Sequence, residues 1–137
     1  MIRAVLDTNI VISAHLRADG REALILELAL ARAFTLCISE LLVQEYEGVL
    51  RRPRFGLDTQ RISRSLSAIR NVADRVKPSI RLKVTSDPDD NKVLECALEG
   101  RAHYIVTGNI RHFPKRYQGI SVVRPREFVT ILAADLN

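Results

Sequence analysis

Two kinds of segment alternate along the chain. Short apolar runs bounded by turn residues predict buried strands at 2–6 (Ile-Arg-Ala-Val-Leu), 35–38 (Thr-Leu-Cys-Ile), 103–107 (His-Tyr-Ile-Val-Thr) and 121–123 (Ser-Val-Val), with a weak strand at 75–77. Longer segments between them carry helical spacing at 9–17, 22–32, 39–50, 58–74, 87–100 and 125–134. Ser39 is a candidate N-cap, Pro53 stops the helix it begins, Asp87-Pro88 opens another and Gly100 ends it. Strands alternating with helices predict an α/β fold, with a parallel sheet of about five strands covered on both faces. No repeat or linker interrupts the pattern, so 1–137 reads as a single domain.

Three acids break the rule that acids lie on solvated faces. Ligands of open parallel sheets bind at the carboxyl ends of strands, and Asp7 follows the first strand directly. On a wheel of about 100° per residue, Glu45 falls between Leu41 and Val49, on the face of Leu42 and Tyr46. Glu40, Gln44 and Glu47 point away. Asp90 likewise lies within the arc of Val93, Leu94, Ala97 and Leu98, with Lys92, Glu95 and Glu99 outside it. Each acid also has a structural alternative: Asp7 as a helix cap, Glu45 at the edge of its stripe, Asp90 as a first-turn acid complementing the helix dipole.

A buried carboxylate is costly unless protonated, paired or bound to metal. The sequence offers no three obvious buried cations, so a hard divalent ion, Mg²⁺ or Mn²⁺, is the economical partner for Asp7, Glu45 and Asp90. Thr107, Gly108 and Asn109 bring a hydroxyl and an amide to the same sheet edge, unless Gly108-Asn109 is only a turn.

Charge and composition sharpen this picture. Lysine and arginine number 21 against 16 acids, a net charge of +5, and 17 of the 21 are arginine. Arginine suits bidentate phosphate contact and base stacking, although solubility alone also explains an excess. Metal held by acids in an arginine-rich protein points to phosphodiester chemistry. Two basic-aromatic runs are candidate grips for a single strand: Arg51, Arg52 and Arg54 beside Phe55, and Arg111, Lys115 and Arg116 around Phe113 and Tyr117. Either run reads equally as a solvated loop. His15, His103 and His112 lack ligand spacing, and Cys37 and Cys96, each among apolar neighbours, read as reduced core residues. Apolar residues make up 47% of the chain, which excludes global disorder. No run approaches the ~18 uncharged apolar residues of a membrane span. Arg3 and Asp7 break the opening apolar run, which argues against a signal peptide, so a cytoplasmic location is the default expectation.

Four motifs in order resemble the PIN-domain (PilT N-terminus) family, most closely its VapC-like toxin components of toxin–antitoxin systems. They are Val5-Leu6-Asp7-Thr8-Asn9-Ile10 with Ser13-Ala14, Ser39 to Glu45, Asp87-Pro88-Asp89-Asp90-Asn91 with Val93-Leu94 and Ala97, and Val106-Thr107-Gly108-Asn109. The resemblance implies a three-layer α/β/α fold, metal-dependent endoribonuclease activity, RNA as substrate, an antitoxin partner and a homodimer. It places Asp7, Glu45 and Asp90 as catalytic metal ligands, with Asn9, Thr107 and Asn109 positioning ligands or waters around them. Asn109 stands where the family often has a fourth acid, which weakens the case for a second metal. The amphipathic face of 58–73 is a candidate dimer surface or ordinary core packing.

Two rival classes are weighed. A receiver-type phospho-acceptor module wants an acidic pair after strand one and a lysine after strand five, where this chain has a single Asp7 and Arg124. A non-catalytic PIN-like RNA-binding or scaffold protein is compatible with Asn109.

Overall fold

A computed structural model describes residues 1–136. Asn137, the last residue of the single domain expected from sequence, lies outside the described residues. In chain order the elements are β1 (Arg3–Leu6), α1 (Thr8–Leu16), α2 (Arg21–Leu30), β2 (Thr35–Ile38), α3 (Glu40–Leu50), α4 (Thr59–Val72), β3 (Asp74–Arg75), α5 (Pro88–Glu99), β4 (Tyr104–Val106), β5 (Arg116–Tyr117), β6 (Ile120–Val123) and α6 (Pro125–Leu136). Single 3₁₀ turns occupy Pro53–Phe55 and Ile110–His112.

The sheet order is β3-β2-β1-β4-β6-β5, parallel except for the β5–β6 pair. Helices flank it in the three-layer arrangement expected. The strand count is a correction, six rather than five. The additional strand is the antiparallel edge β5, joined to β6 by Gln118-Gly119, both at positive φ. That geometry makes a tight two-residue hairpin turn, and it moves Arg116 from the expected loop into a strand.

The central strands are buried on both faces, as parallel strands covered by helices must be. Ala4, Val5 and Leu6 are fully buried beside Cys37, Ile38, Ile105 and Val106. Phe34 and Tyr104 meet Phe128 of α6 edge-on, with ring centroids 5.0 and 5.9 Å apart. Cys37 and Cys96 are free and buried, as expected. The apolar face of α4 settles one alternative: Ile62, Leu66 and Ile69 are buried in the chain's own core, with α4 packed on α2 and α3. That face is therefore core packing and does not offer a dimer surface.

Helix starts follow the sequence chemistry. Ser39 caps α3 by accepting from the Leu42 N–H at 3.2 Å, and Asp87 caps α5 by accepting from Asp89 at 2.9 Å with Pro88 in the first turn. One helix face differs from the expectation. Glu95 is buried, because the strap of chain from Val76 to Asp87 crosses α5 there. Its carboxylate accepts from the Leu82 N–H at 2.8 Å and meets Arg81 at 3.3 Å. Asn91 pins the same strap through Thr85, accepting from its N–H at 2.9 Å and donating to its carbonyl at 3.1 Å.

Candidate active site

The order of strands sets the place. The chain leaves β1 toward β2 and β3 on one side, while β4, β6 and β5 fill the other. A switch point of this kind opens a crevice beyond the carboxyl ends of the two central strands, here β1 and β4. Asp7 and Thr107 stand at those two ends. Leu6 pairs with Val106, and the Asp7 N–H continues the ladder to the Val106 carbonyl at 2.9 Å.

Asp7 is buried and densely held. Its Oδ1 accepts from the Thr8 N–H at 2.8 Å, which makes it the cap of α1 as well. Its Oδ2 accepts from the Thr107 hydroxyl at 2.7 Å and from the Asn9 amide at 2.8 Å. The Asn9 carbonyl oxygen accepts in turn from the Gly108 N–H at 3.0 Å, and the Thr107 oxygen accepts from the Asn109 N–H at 2.9 Å. Asn9 and Thr107 thus lie where positioning residues would. Asn109 reaches the network only through its backbone: it is exposed, and its side-chain amide makes no hydrogen bond among the described residues.

Asp90, in the first turn of α5, lines a neighbouring cleft and lies within electrostatic reach of Asp7. Burial raises its carboxyl pKa to about 6, with the charges of Asp7 and Asp87 adding to the rise. Burial also raises Asp7, against the opposing pull of its hydrogen bonds from Thr107, Thr8 and Asn9. An acid whose ionisation is opposed both by burial and by a neighbouring carboxylate, as at Asp90, marks a site that wants positive charge.

His112 supplies part of that charge when protonated. Its Nδ1 lies 3.5 Å from Asp90 Oδ2, and its charge also favours the ionised form of Asp7. The residue was missed from sequence. The only signal was its place on the turn after β4, three residues past Asn109.

Glu45 is half-buried on α3. Burial raises its pKa, followed by the charge of Asp89, while Lys92 and Arg52 lower it. The three expected acids do not close into one cluster. Among the described residues no three His, Cys, Asp or Glu side chains are grouped closely enough to hold a metal ion by themselves. Asp7 and Asp90 could still hold a hard cation. Asp90's only ion-pair contact is with His112, and no Lys or Arg pairs with either acid among the described residues. A site with two carboxylates that leaves the remaining positions to water suits Mg²⁺.

A cleft of about 610 Å³ opens beside Asp90, lined by Val84, Thr85, Asp87, Arg111, His112 and Phe113 among others. Of the second basic run, Arg111 lines this cleft, while Lys115 and Arg116 are exposed farther on at the β5 edge. The first basic run divides. Arg51 is held by Glu47 at 2.8 Å and Ser63 at 3.1 Å, Arg54 stacks on Phe55, and Arg52 lies within electrostatic reach of Glu45. The other two histidines have structural roles. His15 bridges the Val11 carbonyl and Ser65 hydroxyl, and His103 accepts from the Arg3 N–H.

A small, mostly parallel α/β domain with paired carboxylates at its switch point defines the class. The PIN domain family matches residues 3–111, and the chain belongs to that family. It is 30% identical over 111 residues to the uncharacterized protein MJ1680 of Methanocaldococcus jannaschii, spanning 79% of this chain and 71% of that protein. Its fold is similar to a chain in the crystal structure of VapBC2 from Rickettsia felis bound to a DNA fragment from their promoter. That likeness has a TM-score of 0.61 at 19% identity, covering 90% of this chain and 98% of the other.

Proposed function

We propose that this PIN domain is a Mg²⁺- or Mn²⁺-dependent endoribonuclease and the toxin of a toxin–antitoxin pair. The observation that carries the nuclease reading is that Asp7 and Asp90 lie within electrostatic reach of one another and of His112, each with a raised carboxyl pKa and neither paired with Lys or Arg among the described residues. The toxin reading, with its antitoxin partner, homodimer and cytoplasmic setting, draws on the ordered motifs and on the likeness to VapBC2.

Asp7 and Asp90 would hold the metal, which when bound supplies charge neutralisation at the phosphate and a more acidic water. Thr8, Thr107 and Asn9 fix the Asp7 carboxylate so that one orientation faces the crevice. Glu45 would orient the attacking water and accept its proton, a task that a raised carboxyl pKa favours. In the hydrolysis, the water oxygen bonds to phosphorus, the bond to the 3′-oxygen breaks, and that oxygen takes up a proton. Arg111 and His112, on the cleft wall, offer N–H groups to phosphate oxygens.

Incubating end-labelled single-stranded RNA with the purified chain in Mn²⁺, in Mg²⁺ and in EDTA tests this reading, with Asp90→Asn as control. Metal-dependent internal cleavage by the wild type alone is expected. One observation favours a second reading, a non-catalytic RNA-binding or scaffold PIN protein: the exposed, unengaged amide of Asn109, where the resemblance leads one to look for an acid. RNA binding without cleavage in any metal would select it.

A further inference from the structure

We infer that the segment from the end of β3 to the start of α5 is a cationic track that leads single-stranded RNA into the cleft beside Asp90. The inference rests on the reading of that cleft as the cleavage site. From Arg75 to Thr85 the chain alternates strictly. Val76, Pro78, Ile80, Leu82 and Val84 hold the even positions, and Arg75, Lys77, Ser79, Arg81, Lys83 and Thr85 the odd ones. Val76, Pro78 and Leu82 are half-buried, whereas all four cations are exposed.

The anchors explain the orientation. The Val76 N–H donates to the Ile38 carbonyl at 2.8 Å, Ser79 donates to Glu99 at 3.1 Å from both N–H and hydroxyl, and the Leu82 N–H donates to Glu95. These contacts hold the strap's backbone against the body of the domain. They neutralise little of its charge. Arg81 reaches Glu95 while remaining largely exposed, and Arg75, Lys77 and Lys83 have no carboxylate within ion-pair distance among the described residues.

The track leads to the cleft. Val84, Thr85, Ser86 and Asp87 at its far end line the cleft, and Asp90 follows within one turn of α5. Cations two residues apart on an extended chain are about 6.6 Å apart, a step comparable to that between phosphates of an unstacked single strand. The chain bends at Ile80 and again from Val84, so the cations form two such pairs, Arg75 with Lys77 and Arg81 with Lys83. A row of point charges without aromatic side chains grips the backbone and leaves the bases unread.

The test compares Arg75→Gln/Lys77→Gln/Lys83→Gln with a control of equal charge loss, Arg17→Gln/Arg32→Gln/Arg126→Gln, at exposed arginines elsewhere. Binding of a fluorescein-labelled 20-nucleotide single-stranded RNA is followed by anisotropy in EDTA across a KCl series. Each lost contact should reduce the log–log salt slope by about 0.7, so by about 2 for the track variant. The control should keep the wild-type slope. In Mn²⁺, the track variant should raise KM at least tenfold on the 20-mer and leave kcat unchanged. Equal slopes for the wild type and the track variant, or equal losses in track variant and control, would overturn the track. Because binding is read without metal, a wild type that fails to cleave removes the nuclease reading and leaves the track to be decided by the slopes.

Discussion

The Tyr46 hydroxyl donates to the Leu6 carbonyl oxygen across 2.5 Å, joining the helix that carries Glu45 to the strand end that carries Asp7. Each tethered residue is the immediate chain neighbour of a candidate acid. Tyr46 is fully buried, and burial drives its hydroxyl pKa well above the ordinary value, so it stays a donor throughout the working range. Tyr46→Phe keeps the ring and removes the donor from a buried carbonyl, a loss of about 1–3 kcal/mol. Urea unfolding should show a lower midpoint at unchanged m-value. An unchanged midpoint would mean that the carbonyl finds another donor and that the tether does not fix the site.

The acid pair makes stability depend on pH in a defined direction. Asp90 has a folded pKa of about 6 against an ordinary value of 3.8, so the folded chain keeps a proton that the unfolded chain has lost. Stability from this group is therefore present below about pH 4 and lost as pH rises through about 6. Asp7 and Glu45 are shifted in the same direction. In EDTA, melting temperatures of the wild type should fall between pH 4 and pH 6.5 relative to Asp90→Asn. Above pH 6, Mn²⁺ should stabilise the wild type more than the variant. Parallel melting curves for the two proteins across that range would remove Asp90 from the site.

Much of this site was legible because its signals are local. Asp7 ends an apolar run, and Asp90 shares a helical arc with Val93 and Leu94, so strand and helix periodicity alone bring both toward the sheet edge. What was illegible depended on distant chain. Glu95 reads as a solvated acid on α5 until the strap crosses it and Leu82 lends its N–H. The strap's alternation predicts only a weak strand at 75–77, because no partner strand is visible from sequence. β5 escaped notice because it has two residues and turns on Gln118-Gly119, without the Asn-Gly signature of such turns. His112 joins the acids only because the turn after β4 folds back beside α5, which helical spacing does not encode.

Thr107 tests how the Asp7 carboxylate is oriented. The residue is fully buried, and its hydroxyl donates to Asp7 Oδ2 while accepting from the Asn109 N–H. Thr107→Val keeps the shape and deletes these two contacts together with the 3.4 Å contact from the Asn9 amide. Partners of this kind, one shell out from a metal, typically contribute 10–100-fold in affinity. Calorimetric titration with Mn²⁺ should show a loss of that order, and Thr107→Ser should restore most of it. Equal affinities in all three proteins would confine Thr107 to a packing role.

Gly100 lies where α5 ends against β2. A Cβ built there would stand 3.1 Å from Cys37 Sγ and 3.1 Å from the Cys96 carbonyl oxygen, both in the packed interior. Its backbone is ordinary in conformation, so the constraint is space. Gly100→Ala should cost about 1–3 kcal/mol through overpacking. Relieving the contact with Gly100→Ala/Cys37→Ala should recover part of the loss, measured as a coupling energy in a double-mutant cycle. Strict additivity would place the strain elsewhere.

Asn109 tests how far the proposed metal site would extend beyond Asp7 and Asp90. Its backbone belongs to the network through Thr107, but its side chain is exposed beside the crevice. Asn109→Asp would add a carboxylate in a solvated position, where charge repulsion in the metal-free protein is screened. The melting temperature without metal should therefore fall only slightly. If the new carboxylate turns toward the crevice, hard-cation affinity should rise, since each added oxygen anion strengthens binding. Mn²⁺ should then raise the melting temperature of Asn109→Asp more than that of the wild type, and calorimetry should show a smaller Kd. Identical metal-dependent stabilisation in the two proteins would limit the ligand set to groups already in the crevice and leave position 109 as a backbone element of the turn after β4.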